Sequence, residues 1–164
     1  MAENLYIPEG AGKAEIYEAL IPQLQSLVSG EEDLVANAAN VSAALKEAFG
    51  FFLGGIYFDN RNGELVLGPF QGPVACTRIR YDRGVCGHAF TTRSTVLVPD
   101  VEQFPGHIAC SSASRSEIVI PLKDADGKVT GVLDVDSDQP DDFDSTDQEY
   151  LEIIAEMLAG TLKN

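Results

Sequence analysis

Three cysteines, Cys76, Cys86 and Cys110, lie among glycines and prolines in the middle of the chain, ten and twenty-four residues apart. A thiol becomes a nucleophile as thiolate, and nearby cations favour that form. Cys76 opens an alternating run with Arg78 and Arg80, which would set it on their face of a half-buried strand. Cys110 lies in the polar loop GHIACSSASRS, with His107 and Arg115 close in sequence. Cys86 follows Val85 in a predicted short helix, and of the three it best fits the plainest alternative, a small buried hydrophobe. A metal site would recruit Cys76, Cys86, His88, His107 and Cys110. The chain has neither a C-x2-C pair nor a closely spaced histidine pair, so the usual zinc signatures are missing. The pattern favours redox work, with a nucleophile, a resolving thiol and a pocket for an oxidised substrate.

Acids supply the second half of that chemistry. Asp126-Gly127, between two apolar runs, is a two-residue hairpin signal. A turn there pairs Glu117 with Asp136 and Val119 with Asp134. Alternation then puts Glu117, Asp134 and Asp136 on one face and Ile118, Ile120, Leu122, Leu133 and Val135 on the other. An odd loop length would break this parity. Three carboxylates on one face repel unless a cation is present or one of them holds a proton. Such a group can bind a substrate ammonium and provide a general acid; the alternative is a solvated sheet face. DVDSD also resembles the start of a calcium loop, but Gln139 stands at the sixth position and Ser145 at the twelfth. Asp141, Asp142, Asp144 and Asp147 read as a solvated loop before a helix.

The elements that must position these residues are short. Ile16, Leu20, Leu24 and Leu27 predict a helix that Gly30 stops and Pro22 kinks or restarts; Leu34, Ala38, Val41 and Leu45 predict a second, ended by Gly50. A hairpin over 51–67 turns at Asn62-Gly63, followed by an irregular stretch holding Pro69 and Pro73. Further strands are expected near 76–81, 95–98, 117–122 and 128–136. A last helix starts near Ser145, with Ser145/Gln148 or Thr146/Glu149 as capping box and Leu151, Ile154, Leu158 and Leu162 as its stripe. The expectation is one α+β domain over 1–164: a central, mainly antiparallel sheet at about 51–137, with helices at about 11–49 and 145–162 packed on one face.

With 164 residues and 45% apolar content, the chain can bury a core unaided. Eleven basic residues against twenty-six acidic ones give a net charge of −15, which disfavours nucleic acid and anionic membrane surfaces as partners. No apolar run approaches the roughly 18 residues of a membrane span, and no targeting segment is evident, so a cytoplasmic location is expected. Disulfides there are usually transient and catalytic.

The segments LVLGPFQGPVACTRI, RGVCG, FPGHIAC, SEIVIPL and GVLDVDS closely resemble the free methionine-R-sulfoxide reductases, a family of single GAF domains. The resemblance is strong over about 65–137. It implies that Cys110 is the nucleophile, Cys76 the principal resolving thiol and Cys86 a secondary one, with Glu117, Asp134 and Asp136 as substrate-binding and catalytic carboxylates. It implies reduction of free L-methionine (R)-S-oxide through a sulfenic acid and an intramolecular disulfide, thioredoxin (with NADPH and thioredoxin reductase) as external reductant, a homodimer, and no bound cofactor or metal. The family usually has a Trp near the substrate methyl group. This chain has no Trp, and Leu53 aligns there, with Phe52 or Tyr57 placed to compensate. The rival expectation is a GAF small-molecule or redox sensor without turnover, which would normally need an output domain that 164 residues leave no room for.

Overall fold

In the computed structural model, residues 4–108 and 111–160 are described. Two helices come first, α1 (Lys13–Ser29) and α2 (Leu34–Phe49). The apolar stripe of α1 buries Tyr17, Leu20 and Leu24, and the helix runs through Pro22 without restarting. Pro22 and Glu18 are both exposed, so water can serve the carbonyl that loses its donor. The Asp33 carboxylate caps α2 by accepting from Ala36 N at 2.9 Å. At its end Gly50 takes a left-handed conformation (φ 65°) and donates to Lys46 O at 2.8 Å.

Six strands follow, β1 (Leu53–Asp59), β2 (Glu64–Gln71), β3 (Arg78–Arg80), β4 (Val96–Val98), β5 (Ser116–Lys123) and β6 (Val129–Ser137), with α3 (Gly84–Thr92) between β3 and β4 and α4 (Ser145–Ala159) at the end. They form one sheet in the order β3-β2-β1-β6-β5-β4, antiparallel throughout. One face carries Ile56, Ile118, Ile120, Leu122, Leu133 and Val135, which pack with α1, α2 and α4. The opposite face carries Tyr57, Leu65, Val119 and Val132, which pack with Val85, Cys86 and Ala89 of α3. The terminal helices therefore share one side, as expected for this α+β pattern, and α3 packs on the other.

Several local expectations need correction. β2 runs on to Gln71 through Pro69, because the register shifts between Gly55 and Tyr57 and the proline sits at that bulge, where no ladder donor is needed. β3 is only three residues long, so the alternation does not reach Cys76. Arg78 instead pairs with Glu64 at 3.1 Å and Arg80 with Asp82 at 3.2 Å, while Cys76 packs against the α3-side core. The cap of α4 is Asp144 with Asp147, an acidic version of the capping box placed one residue before the Ser145/Gln148 pair and two before Thr146/Glu149. Asp147 is fully buried rather than solvated: it accepts from Lys13 Nζ at 2.6 Å and Tyr17 Oη at 2.7 Å. Leu162 lies outside the described residues.

Candidate active site

The β5–β6 hairpin sets the geometry of the acids. Asp124 N donates to Lys128 O and Gly127 N to Asp124 O, both at 2.9 Å, which makes a three-residue loop with Gly127 left-handed (φ 79°). That odd loop alone would reverse the parity. A register shift at Leu122/Lys123 compensates, so that Glu117 faces Asp136 and Val119 faces Asp134 as the two-residue turn predicts. Leu53 and Gly55 of β1 complete the row beside Asp136 and Asp134.

Glu117, Asp134 and Asp136 line one cleft with Leu53, Tyr57 and Cys86. The cavity between them is narrow, about 30 Å³. Glu117 is 6% and Asp134 4% exposed, which excludes the solvated-face reading. Burial, followed by the charge of a neighbouring acid, raises all three carboxyls well above the usual range: Asp136 acts on Glu117, Glu117 on Asp134 and Asp134 on Asp136. The three therefore share protons instead of carrying three charges. His107 is pushed down by burial and stands 3.7 Å from Glu117, too long for a hydrogen bond. A neutral imidazole beside a protonated carboxyl is the consistent state.

Of the cysteines, Cys86 lines the cleft. Cys86, in the first turn of α3, is a free, buried thiol. Burial, then the Asp134 charge, pushes it well above the ordinary thiol range, so it is held protonated. Cys76 is disulfide-bonded. Its backbone carbonyl accepts from the buried Tyr57 hydroxyl at 2.9 Å, which ties the Cys76 loop to the floor strand. Burial and the Asp134 charge raise the Tyr57 phenol, keeping it a donor. Cys110 lies outside the described residues.

A GAF domain family model matches residues 31–163. "GAF domain-containing protein A" of Dictyostelium discoideum is 57% identical over 158 residues, covering 96% of this chain and 99% of that protein. "Free methionine-R-sulfoxide reductase" of Saccharomyces cerevisiae is 38% identical over 164 residues, covering 96% of this chain and 91% of that protein. The chain belongs to the free methionine-R-sulfoxide reductase family of GAF domains. The free methionine-R-sulfoxide reductase of Neisseria meningitidis, solved in complex with its substrate, superposes with a TM-score of 0.92 at 52% identity, covering 96% of this chain and 94% of that one.

Within the family fold, the structure gathers most of the sequence candidates and separates others. Leu53, Tyr57, Cys86, Glu117, Asp134 and Asp136 share the cleft, and Ala75, next to Cys76, reaches it. His88 does not line it: the ring is exposed on α3 and meets Phe104 edge-on. The calcium reading fails because Asp134 and Asp136 belong to strand β6 rather than to a loop. Among the described residues, Cys86, Glu117 and Asp134 are the group able to share a metal ion, with ligand atoms within 4.8 Å of one another. Two contributors carried no signal in the sequence. Ser114 is buried in the cleft wall, and the α3 N-terminus at Gly84, Val85 and Cys86 faces the cleft with no side-chain cap.

Proposed function

We propose that this protein reduces free L-methionine (R)-S-oxide to L-methionine. The observation that carries the reading is the buried, proton-sharing triad of Glu117, Asp134 and Asp136 in a cleft that also holds a free thiol and adjoins a disulfide-bonded one. Asp134 receives the substrate α-ammonium. The uncapped amides at the start of α3 receive the α-carboxylate, where the helix dipole favours an anion. This demand for both main-chain ends of the amino acid restricts the enzyme to the free form. Leu53 stands beside Asp136 and offers the apolar wall for the methyl group.

In the chemical step the Cys110 thiolate attacks the sulfoxide sulfur while Glu117 or Asp136, kept protonated by burial, gives its proton to the oxygen. Methionine leaves and Cys110 holds the oxygen as sulfenic acid. Cys76, held near the cleft by the Tyr57 hydrogen bond, attacks that sulfenic sulfur; water is released and a disulfide forms. A protein dithiol of the thioredoxin class, itself recharged from NADPH, restores both thiols by exchange. Cys86 is the reserve resolving thiol, its protonated state making it a poor first nucleophile. No bound cofactor or metal enters this scheme. The same proposal treats 1–164 as one domain, working as a homodimer in a reducing cytoplasm where such a disulfide is turned over.

The test is turnover of the free sulfoxide with thioredoxin, its reductase and NADPH, followed by NADPH loss. No rate above background would defeat the enzyme reading in favour of a ligand or redox sensor. Cys110→Ser should release no methionine, whereas Cys76→Ser should release about one per subunit and then stall unless Cys86 resolves in its place, the signature of a nucleophile without its principal resolving partner.

A further inference from the structure

The structure assigns Ser114 as a substrate-contacting residue that, together with Asp136, holds the sulfoxide oxygen and so selects the epimer. Among the described residues, three buried side-chain polar atoms lack a hydrogen-bond partner: Ser114 Oγ, Asp134 Oδ1 and Asp136 Oδ1. All three residues line the same cleft. Buried polar atoms are rarely left unpaired, and a hydroxyl is the group best able to rotate toward a partner. A hydroxyl without a well-aligned partner in the folded chain is placed to take one from outside, a water or a ligand.

The backbone fixes where that hydroxyl can go. Ser114 N donates to Ser111 O at 3.4 Å, closing a turn, and Arg115 N donates to Ser137 O at 2.8 Å, pinning the next residue to the end of β6. Ser114 thus stands beside Asp136 and favours its charged form as a weak hydrogen-bond donor would, although no contact of full hydrogen-bond geometry joins the two side chains. A polar atom entering from the cleft is placed to complete both.

Chemical complementarity identifies that atom. This assignment rests on the functional reading above, in which the ligand is a free amino-acid sulfoxide with three polar groups. Its ammonium only donates, and Asp134 Oδ1 needs a donor. Its carboxylate only accepts, and the α3 amides only donate. The sulfoxide oxygen remains, an acceptor of more than one hydrogen bond, facing the donors left over, Ser114 Oγ–H and the protonated acids Asp136 and Glu117. Asp136 can transfer its proton to that oxygen in the reaction, while Ser114 keeps its own and holds the oxygen in line. In the opposite epimer, with the main-chain end anchored, oxygen and methyl exchange places. A methyl group would then meet the hydroxyl, and the oxygen would meet the apolar wall at Leu53.

The experiment compares Ser114→Ala and Ser114→Thr with the wild type, using a small dithiol as reductant so that no protein partner intervenes. Ser114→Ala should lower kcat/KM for the R sulfoxide by about 10- to 100-fold, the usual range for deleting one donor to a developing charge, and narrow the preference for R over S. Its affinity for methionine, which lacks the oxygen, should stay within about twofold, while its affinity for the sulfoxide falls. Ser114→Thr, which keeps the hydroxyl, should recover most of the rate. A Ser114→Ala rate within twofold of wild type, equal weakening toward methionine and sulfoxide, or equal loss in both variants would overturn the assignment. Should the wild type show no turnover, the functional reading fails on its own, and calorimetric binding of sulfoxide against methionine still decides whether Ser114 touches the oxygen.

Discussion

Glu117, Asp134 and Asp136 are each buried at a cost in stability, and the sign of that cost can be measured. Burial and mutual repulsion raise their folded-state pKa values above those of the unfolded chain. Between the unfolded value, about 4, and the raised folded value, the native state therefore binds more protons than the unfolded state. Stability contributed by the triad is complete below that window and is lost as pH rises through it. Asp134→Asn removes one member and offers its amide to the remaining acids. The variant should be more stable than wild type by about 1–3 kcal/mol at pH 8, with the gain shrinking toward pH 5, and it should lose nearly all turnover. Chemical denaturation at the two pH values checks this. A gain that does not depend on pH, or a loss at pH 8, would contradict the shared-proton account. The three acids could be found from the sequence because strand alternation is a parity rule that needs only a register. Ser114 could not: a serine in a serine-rich loop has no periodicity, and only its burial without a partner marks it.

Among the elements, α3 does most to shape the cleft, and its seat depends on one residue. A side chain on Gly87 would put its Cβ 2.6 Å from Tyr81 O and 2.8 Å from Arg80 O, backbone atoms that cannot swing aside. Gly87→Ala must therefore lift α3 from the β3 edge, moving Cys86 and the amide-bearing first turn with it. The expected cost is about 1–3 kcal/mol, typical of overpacking, together with a fall in kcat/KM larger than the unfolded fraction explains. Turnover measured on the same sample as its denaturation curve separates the two effects; stability lost with wild-type turnover per folded molecule would show that α3 need not be seated so closely. At this scale the sequence misleads in instructive ways. Asn62-Gly63 and Asp126-Gly127 do mark hairpins, but each glycine ends a three-residue loop in which Asn60 or Asp124 accepts the turn amides. The acid register survives only because of the shift at Leu122/Lys123, which no local pattern announces. Cys76 misses the Arg78–Arg80 strand face for a related reason, since the length of an edge strand is set by its neighbour and not by its own alternation.

Across the whole molecule, the sheet separates a face packed by α1, α2 and α4 from a face that carries α3 and the cleft. The outer helices α1 and α4, far apart in sequence, are joined by a buried knot: Asp147 accepts from Lys13 and Tyr17 and closes the cap of α4 through Asp144 N at 2.9 Å. The stacked rings of Tyr17 and Tyr150, 5.1 Å apart, cover it. This tie joins residues 130 and more positions apart, beyond the reach of any local pattern, so the acid run reads from the sequence only as a solvated loop. Asp147→Ala leaves the buried Tyr17 hydroxyl without its partner, removes half of the capping box and takes from Lys13 its nearest carboxylate, while Asp142 O and Asp144 remain to it. The loss should be about 2–4 kcal/mol, the cost of an unpaired buried hydroxyl together with a lost cap. Because the knot lies across the sheet from the cleft, turnover per folded molecule at low temperature should remain that of the wild type. Denaturation midpoints and active-site-normalised rates test both halves. A loss below about 1 kcal/mol would demote the knot to an incidental contact. A selective drop in kcat would mean that the two faces communicate through β5 and β6, the strands whose outer side chains meet α4 and whose inner side chains are the acids.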